Sequence, residues 1–216
     1  MTEPSFLTLT RTAYDAVAVE YAELHRDELG WIPLDRVMLD LFADLVSARG
    51  GPVTDVGCGT GRATGYLAGL GVDVSGVDLS PGMLDIARST YPDLSFREGS
   101  MTALDLPDAS QAGISAVYSI IHVPLDLLAG VFASFRRALV PGGEVMVVFQ
   151  VGEEPRHMGP VLGHPVELVF HRRTTEQVAA LLEEAGLVVH TRVVREPEGT
   201  ELTPHAHLFA RRPLAG

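Results

Sequence analysis

The stretch Val53-Thr54-Asp55-Val56-Gly57-Cys58-Gly59-Thr60-Gly61, followed by an apolar run from Val72 to Val77 and then Asp78, constrains this chain more than any other. Val53 and Val56 suit a buried strand. Gly57, Gly59 and Gly61 accept backbone angles that a Cβ disfavours, so the chain can turn tightly and approach a ligand closely. Asp78 stands 21 residues beyond Gly57, at the tip of the second strand, where a carboxylate can accept two hydrogen bonds from a ribose diol. Strand, glycine turn, helix, strand and terminal acid, in that order, point to a cofactor that contains a nucleoside.

The dinucleotide fingerprint carries its third glycine one residue later, where a helix N-terminus meets a pyrophosphate. Here that glycine comes early, and Asp55 stands in the strand end as an acceptor. An acceptor suits a ligand with an ammonium group better than one with phosphates. The stretch resembles motif I of the class I S-adenosylmethionine (SAM)-dependent methyltransferases, whose acid and glycine loop hold the methionine part. The resemblance implies that Asp55, Gly57, Cys58, Gly59, Thr60 and Gly61 bind there, with Asp78 and Leu79 on the ribose side and Met83 against adenine. After the third strand, Gly99-Ser100-Met101 takes the place of the family's adenine motif, with Ser100 where many relatives carry Asp. A hydroxyl can still accept, though more weakly than a carboxylate, and the Met101 main-chain N–H can meet the adenine edge. Leu104-Asp105-Leu106-Pro107 resembles the loop before strand four, and Ser119 stands where the family's backbone nears the SAM amino group.

From Val53 onward strands and helices alternate. Val53–Val56, Val72–Val77, Leu94–Arg97, Ile114–Tyr118 and Glu144–Gln150 read as strands, and 61–70, 81–91 and 125–139 as helices. Such alternation implies an α/β, doubly wound, mostly parallel sheet that binds at the carboxyl ends of its strands. Thr174 with Gln177 offers a capping-box start for a helix over 174–185, and strands over 187–194 and 205–211 follow. These last two match the C-terminal antiparallel hairpin with which the family's sheet reaches seven strands. Ahead of the sheet, Thr8 to Leu29 has helical spacing, Gly30-Trp31-Ile32-Pro33 breaks it, and Leu34 to Ala48 resumes an amphipathic helix. The chain thus divides into an N-terminal helical lid (1–50), a SAM-binding core (51–150), a substrate-covering segment (151–172) and a C-terminal helix and hairpin (173–216), all in one methyltransferase domain.

Methyl transfer from a sulfonium asks the protein mainly to align acceptor, methyl carbon and sulfur and to exclude water. Catalytic motifs are therefore softer than cofactor motifs. His122, after strand four, faces the acceptor side by analogy, and an imidazole could take a proton from an amine or hydroxyl there. The plain alternative is that it orients a loop or caps the next helix. Tyr14-Asp15-Ala16-Val17-Ala18-Val19-Glu20-Tyr21 resembles the lead-in of many small-molecule methyltransferases, in which a Tyr hydroxyl reaches the SAM carboxylate or the substrate. Tyr14 is preferred over Tyr21, although aromatic pairs at helical spacing are more often core. His157, His164 and His171 stand seven apart, but Pro155, Pro160 and Pro165 prevent one helix face and no ligand cluster completes a metal site. Polar substrate contacts from Arg156, His157 or His164 are the sharper reading of that segment, and an ordered loop the blander one. His205 and His207 read as packing residues of the last strand.

A single cysteine, Cys58, excludes an internal disulfide and reads as a small buried thiol in a reducing compartment. No signal segment and no membrane-spanning run appears, so a cytoplasmic protein is expected. A net charge of −12 disfavours nucleic acid and favours a small-molecule acceptor. The expected activity is methyl transfer from SAM to an O or N atom of a small molecule, with a natural-product intermediate suggested by analogy within the fold, releasing S-adenosylhomocysteine. Two rivals are SAM-dependent chemistry without methylation, such as a cyclisation or rearrangement, and a non-catalytic binding partner. The intact glycine loop and Asp78 count against the last.

Overall fold

A computed structural model describes residues 4–26, 30 and 32–214. Trp31 and Leu29, placed above in the break and at the end of the first helix, lie outside the described residues. Helix α1 spans Ser5–Leu24 and α2 spans Pro33–Ser47, the latter with proline at its first turn, where a missing N–H costs nothing. Then come β1 (Val53–Val56), α3 (Arg62–Gly69), β2 (Val74–Asp78), α4 (Pro81–Thr90) and β3 (Phe96–Glu98). They are followed by β4 (Gln111–Val117), α5 (Leu125–Ala138) and β5 (Leu139–Gln150). The chain ends with β6 (Arg156–Met158), β7 (Leu168–Phe170), α6 (Thr175–Glu184), β8 (Val188–Arg195) and β9 (His205–Arg211).

Seven strands form one sheet in the order β3-β2-β1-β4-β5-β9-β8. Strands β1 to β5 are mutually parallel, and β9 runs antiparallel to both β5 and β8. The α/β reading and the C-terminal hairpin are therefore both observed. Every residue of β1 is buried, as a central strand covered on both faces requires. Phe132, Phe135 and Leu128 of α5 pack with Ile114, Val147 and Leu208 on one face of the sheet. Phe42, Leu39 and Val46 of α2 pack with Val53, Met146 and Phe209 on the other. The capping box at Thr174 is complete: Gln177 N–H donates to its hydroxyl and the Gln177 side chain accepts from its backbone.

The strand order reverses between β1 and β4, because the chain leaves β1 toward β2 and returns on the opposite side. A crevice opens at the carboxyl ends of strands at such a reversal. Two additions pack around it, α1 lining the crevice and a second element packing against α1. Helix α1 packs on α4, where Asp15 accepts from the Ser80 hydroxyl (2.6 Å) and the Gly82 N–H (2.9 Å). The segment after β5 is not a bare loop but a small antiparallel ribbon, β6 with β7, and its Leu168 packs on Ala13 and Val17 of α1.

Candidate active site

A cleft open to solvent at its mouth occupies this crevice. The turn after β1 forms its floor. Gly57, Gly59 and Gly61 all have positive φ (+75°, +54° and +78°), and they meet different surroundings. A Cβ on Gly57 would stand 2.2 Å from the Ser119 Cβ, and one on Gly61 would stand 2.9 Å from the Phe96 ring. On Gly59 it would project into open space, where the glycine borders the cleft. Only Gly59 is thus a glycine that leaves room for a ligand; Gly57 and Gly61 make room for the protein itself. Gly61 is the one residue of the expected cofactor set that does not line the cleft.

Asp78 lies across the turn. Its Oδ2 accepts from Gly59 N–H at 2.7 Å and its Oδ1 from Ser80 N–H at 2.9 Å. Burial raises its pKa, and these backbone donors partly offset the rise. Each oxygen retains a second lone pair and the residue borders the cleft, so the carboxylate is oriented by the turn and still able to accept. Asp55 is fully buried behind the turn, where it accepts from the Thr64 hydroxyl (2.7 Å) and the Ser115 hydroxyl (2.8 Å). Burial raises its pKa as well, so a cation placed near it would help to keep it ionised. Two guanidinium side chains line the same cleft, Arg11 from α1 and Arg62 from the start of α3.

Leu79, Met83, Gly99, Ser100 and Met101 form the wall beyond Asp78. The Ser100 hydroxyl accepts from Thr102 N–H at 3.2 Å and bonds the Thr102 hydroxyl at 2.8 Å. It caps the short helical turn that follows, Met101–Ala103. Burial raises the Cys58 thiol well above its usual pKa, leaving it an inert packing group. Ser119 donates to the Val56 carbonyl at 2.7 Å, tying the end of β4 to the end of β1.

Tyr118, just before it, has a positive φ of 53°, uncommon outside glycine. Its hydroxyl holds that conformation by donating to Asp35 Oδ2 (2.8 Å) and accepting from Arg195 Nη2 (3.1 Å), with His205 Nδ1 at 2.9 Å. Arg195 also binds Glu201 and Asp35. Burial pushes Asp35 upward, but His207, Tyr118 and Arg195 more than offset it, and its pKa ends below the usual value. His205 and His207 are both buried in the last strand, and both join this charged network, His207 through Asp35 at 3.1 Å.

On the opposite wall, 108 positions apart in sequence, Tyr14 and His122 meet: the Tyr14 Oη to His122 Nε2 distance is 2.7 Å. The other ring nitrogen, Nδ1, lies 3.3 Å from the Val169 carbonyl. A carbonyl can only accept, so the N–H belongs on Nδ1, and Nε2 accepts the Tyr14 proton. The Phe170 ring stands 5.2 Å from the imidazole and Tyr21 stands edge-on to Tyr14 at 5.8 Å. Burial lowers His122 to about 4, with His171 and Arg173 adding to the effect and the Val169 carbonyl opposing it. Burial, then Tyr21 and Asp78, push Tyr14 well above its usual value. The pair is therefore neutral at physiological pH.

Sequence reasoning missed Phe6, Leu7, Thr10 and Arg11 of α1, and also Arg62, Ala63, Val117, Tyr118 and Val123. Leu7, Thr10 and Arg11 share the helix face of Tyr14 at spacings of seven, four and three, a signal that was present in the pattern. Among the described residues no group of three His, Cys, Asp or Glu side chains could hold a metal, and His164 instead pairs with Glu20 at 3.2 Å. No helix among them is long and apolar enough to cross a membrane.

A sheet of this order with a glycine turn, an oriented acid on the next strand and an enclosed cleft defines a nucleoside-cofactor enzyme of the Rossmann-like class. Residues 53–143 match the family described as a methyltransferase domain. The chain is 30% identical over 190 residues to an O-methyltransferase, cnsE, of Penicillium expansum, covering 84% of this chain and 67% of that one. It is 29% identical over 205 residues to a demethylmenaquinone methyltransferase of Chlorobaculum tepidum, covering 93% and 80% respectively. The fold matches the DhpI structure in complex with S-adenosylhomocysteine at a TM-score of 0.77 and 22% identity, over 98% of this chain and 99% of that one. A magnesium protoporphyrin IX methyltransferase from Synechocystis with bound SAM matches at 0.73 and 14% identity, again over 98% and 99%. The chain belongs to the class I SAM-dependent methyltransferases, and SAM is its cofactor. The open space over Gly59 and the second lone pairs of Asp78 suit that cofactor.

Proposed function

We propose that this enzyme transfers the methyl group of SAM to a small molecule at an oxygen or nitrogen atom, with a hydroxyl acceptor favoured, as in a natural-product intermediate. The supporting observation is the Tyr14–His122 pair at 2.7 Å in the cleft wall. With its proton given to Nε2, the Tyr14 oxygen keeps lone pairs that can accept from an acceptor's O–H. A proton leaving the acceptor can then pass through Tyr14 to His122. At about 4, His122 is too weak a base to ionise a free alcohol, but it stays unprotonated at neutral pH. An oxygen that is gaining a methyl group becomes strongly acidic, and a weak base suffices at that stage. SAM supplies the electrophilic methyl when bound; the chain's own residues bind, orient and exclude water.

The cofactor-facing roles follow the same geometry. Asp78 suits the ribose diol, Met83 and Met101 the adenine, and Asp55 with Ser119 the ammonium end. Arg11 and Arg62 suit the methionine carboxylate. The test is S-adenosylhomocysteine release from the purified chain with SAM and a panel of phenols, alcohols and amines. Replacing His122 by Asn should lower kcat at least tenfold on the best acceptor, with SAM affinity within about threefold. Rates within threefold of the parent would refute the role given to His122, and unchanged SAM after turnover would refute methyl transfer.

A further inference from the structure

Arg173 is the most buried cation of the chain, at 2% exposure. Its Nη1 donates to the carbonyls of Ile120 (3.2 Å) and His171 (2.7 Å), and its Nη2 donates to the Val123 carbonyl. Its Nε has no partner. No carboxylate forms an ion pair with it among the described residues, although the chain carries 28 acidic side chains. Burial lowers its pKa to about 10, so it remains charged at neutral pH. A buried cation without a counter-ion is costly unless its donors are well used. Here they hold two carbonyls of the turn 120–123 that carries His122, and a third at the end of the β7 strand that covers it.

We infer that Arg173 is a positioning residue for the reaction: it clamps the 120–123 turn against β7, so that His122 meets Tyr14, and it places an uncompensated positive charge behind the imidazole. The inference rests on the role given to His122 above. The groups facing that ring are few. Tyr14 comes from α1, with Tyr21 and Asp78 acting on Tyr14 in turn. The Val169 carbonyl, Phe170 and His171 come from β7 and the residue after it. The remaining charges nearby, His157 and Asp126, act on His171. Among the described residues no carboxylate acts on the imidazole to draw a proton onto it, and Arg173 discourages one. A clamp built only for structure would work equally well with a carboxylate partner beside the guanidinium. Leaving that partner out lets the charge reach His122.

The experiment compares Arg173→Met and Arg173→Lys with the parent, reading kcat/KM and the His122 ring titration by NMR from about pH 3 to 8, across the value near 4, with His122→Asn identifying the resonance. In Arg173→Met the ring titration should move up, the acid limb of the rate profile should follow it, and kcat at pH 8 should fall about tenfold. Arg173→Lys keeps the charge but cannot hold three carbonyls; its ring titration should stay near the parent's while kcat falls. An unmoved ring titration in Arg173→Met, or parental kcat in Arg173→Lys, would overturn the inference. If Arg173→Met does not fold, Arg173→Gln, which keeps amide donors but no charge, takes its place with the same expected ring titration. A ring titration that moves without the rate profile would uphold the link from Arg173 to His122 and overturn the catalytic reading of His122.

Discussion

Replacing Asp78 by Ala separates the two things that carboxylate does. In the folded chain its oxygens are aligned by Gly59 N–H at 2.7 Å and Ser80 N–H at 2.9 Å, and the residue borders the cleft with a second lone pair left on each oxygen. Two hydrogen bonds from a ribose diol to an ionised acceptor contribute about 2–4 kcal/mol together after the cost of ordering. That corresponds to an affinity lower by about 30- to 700-fold for the Ala variant. The two backbone donors also lose their partner, and because water can reach them from the open cleft this costs about 1 kcal/mol each in stability, the low end for such groups. Burial raises the Asp78 pKa, so affinity should weaken as pH falls through that raised value and the acceptor becomes a neutral acid. The measurement is calorimetric titration with S-adenosylhomocysteine, alongside a thermal melt to show that the variant is folded. A folded Ala variant that binds within threefold of the parent would show that the ribose is held elsewhere.

Two further outcomes follow from the same geometry. Gly57→Ala drives a Cβ to 2.2 Å from Ser119 at a φ of +75°, so it should cost about 2–5 kcal/mol of unfolding free energy. Gly59→Ala meets only the φ penalty of about 1 kcal/mol, yet should abolish measurable S-adenosylhomocysteine binding, because its Cβ enters the cleft; equal behaviour of the two in denaturant melts and calorimetry would refute the distinction. For His122, the folded value near 4 lies below the unfolded value of about 6.5. The unfolded chain therefore binds the extra proton between those limits, and stability, fully present above pH 6.5, falls as the solution is acidified toward 4. The His122 share of that loss is about 3 kcal/mol, and denaturant titrations of His122→Asn should show a slope shallower by that amount across the same window.

The cofactor half of the cleft was legible because it is written locally. A glycine turn needs glycine at particular positions, and the acid proposed for the ribose sits at the end of the next strand. What the pattern could not distinguish was why each glycine is there. Gly57 and Gly61 answer to Ser119 and Phe96, contacts of 62 and 35 positions that no local spacing reveals. Strand limits shifted for similar reasons. β5 begins at Leu139, directly after α5, because the 139–143 segment pairs with Gln111 through a register break, whereas alternation is regular only from Glu144. The serine at position 100 looked like a weakened adenine contact, and its hydroxyl turns out to be spent on capping its own turn.

The acceptor half is assembled by tertiary contact alone. Tyr14 is brought to His122 because Asp15 beside it caps the start of α4, and because Ala13 and Val17 seat the ribbon of β6 and β7. That ribbon sets the imidazole tautomer through the Val169 carbonyl and walls it with Phe170. An imidazole read from sequence at its ordinary pKa thus becomes, once covered, a neutral group that resists protonation to about pH 4. The change alters the chemistry available to it. A base of pKa near 6.5 could ionise an acceptor ahead of transfer, whereas one near 4 can only receive the proton as the new bond acidifies it. Under the proposed role for His122 the cover is more than a shield from water, since the timing of proton loss would follow from how completely the ribbon and α1 enclose the ring.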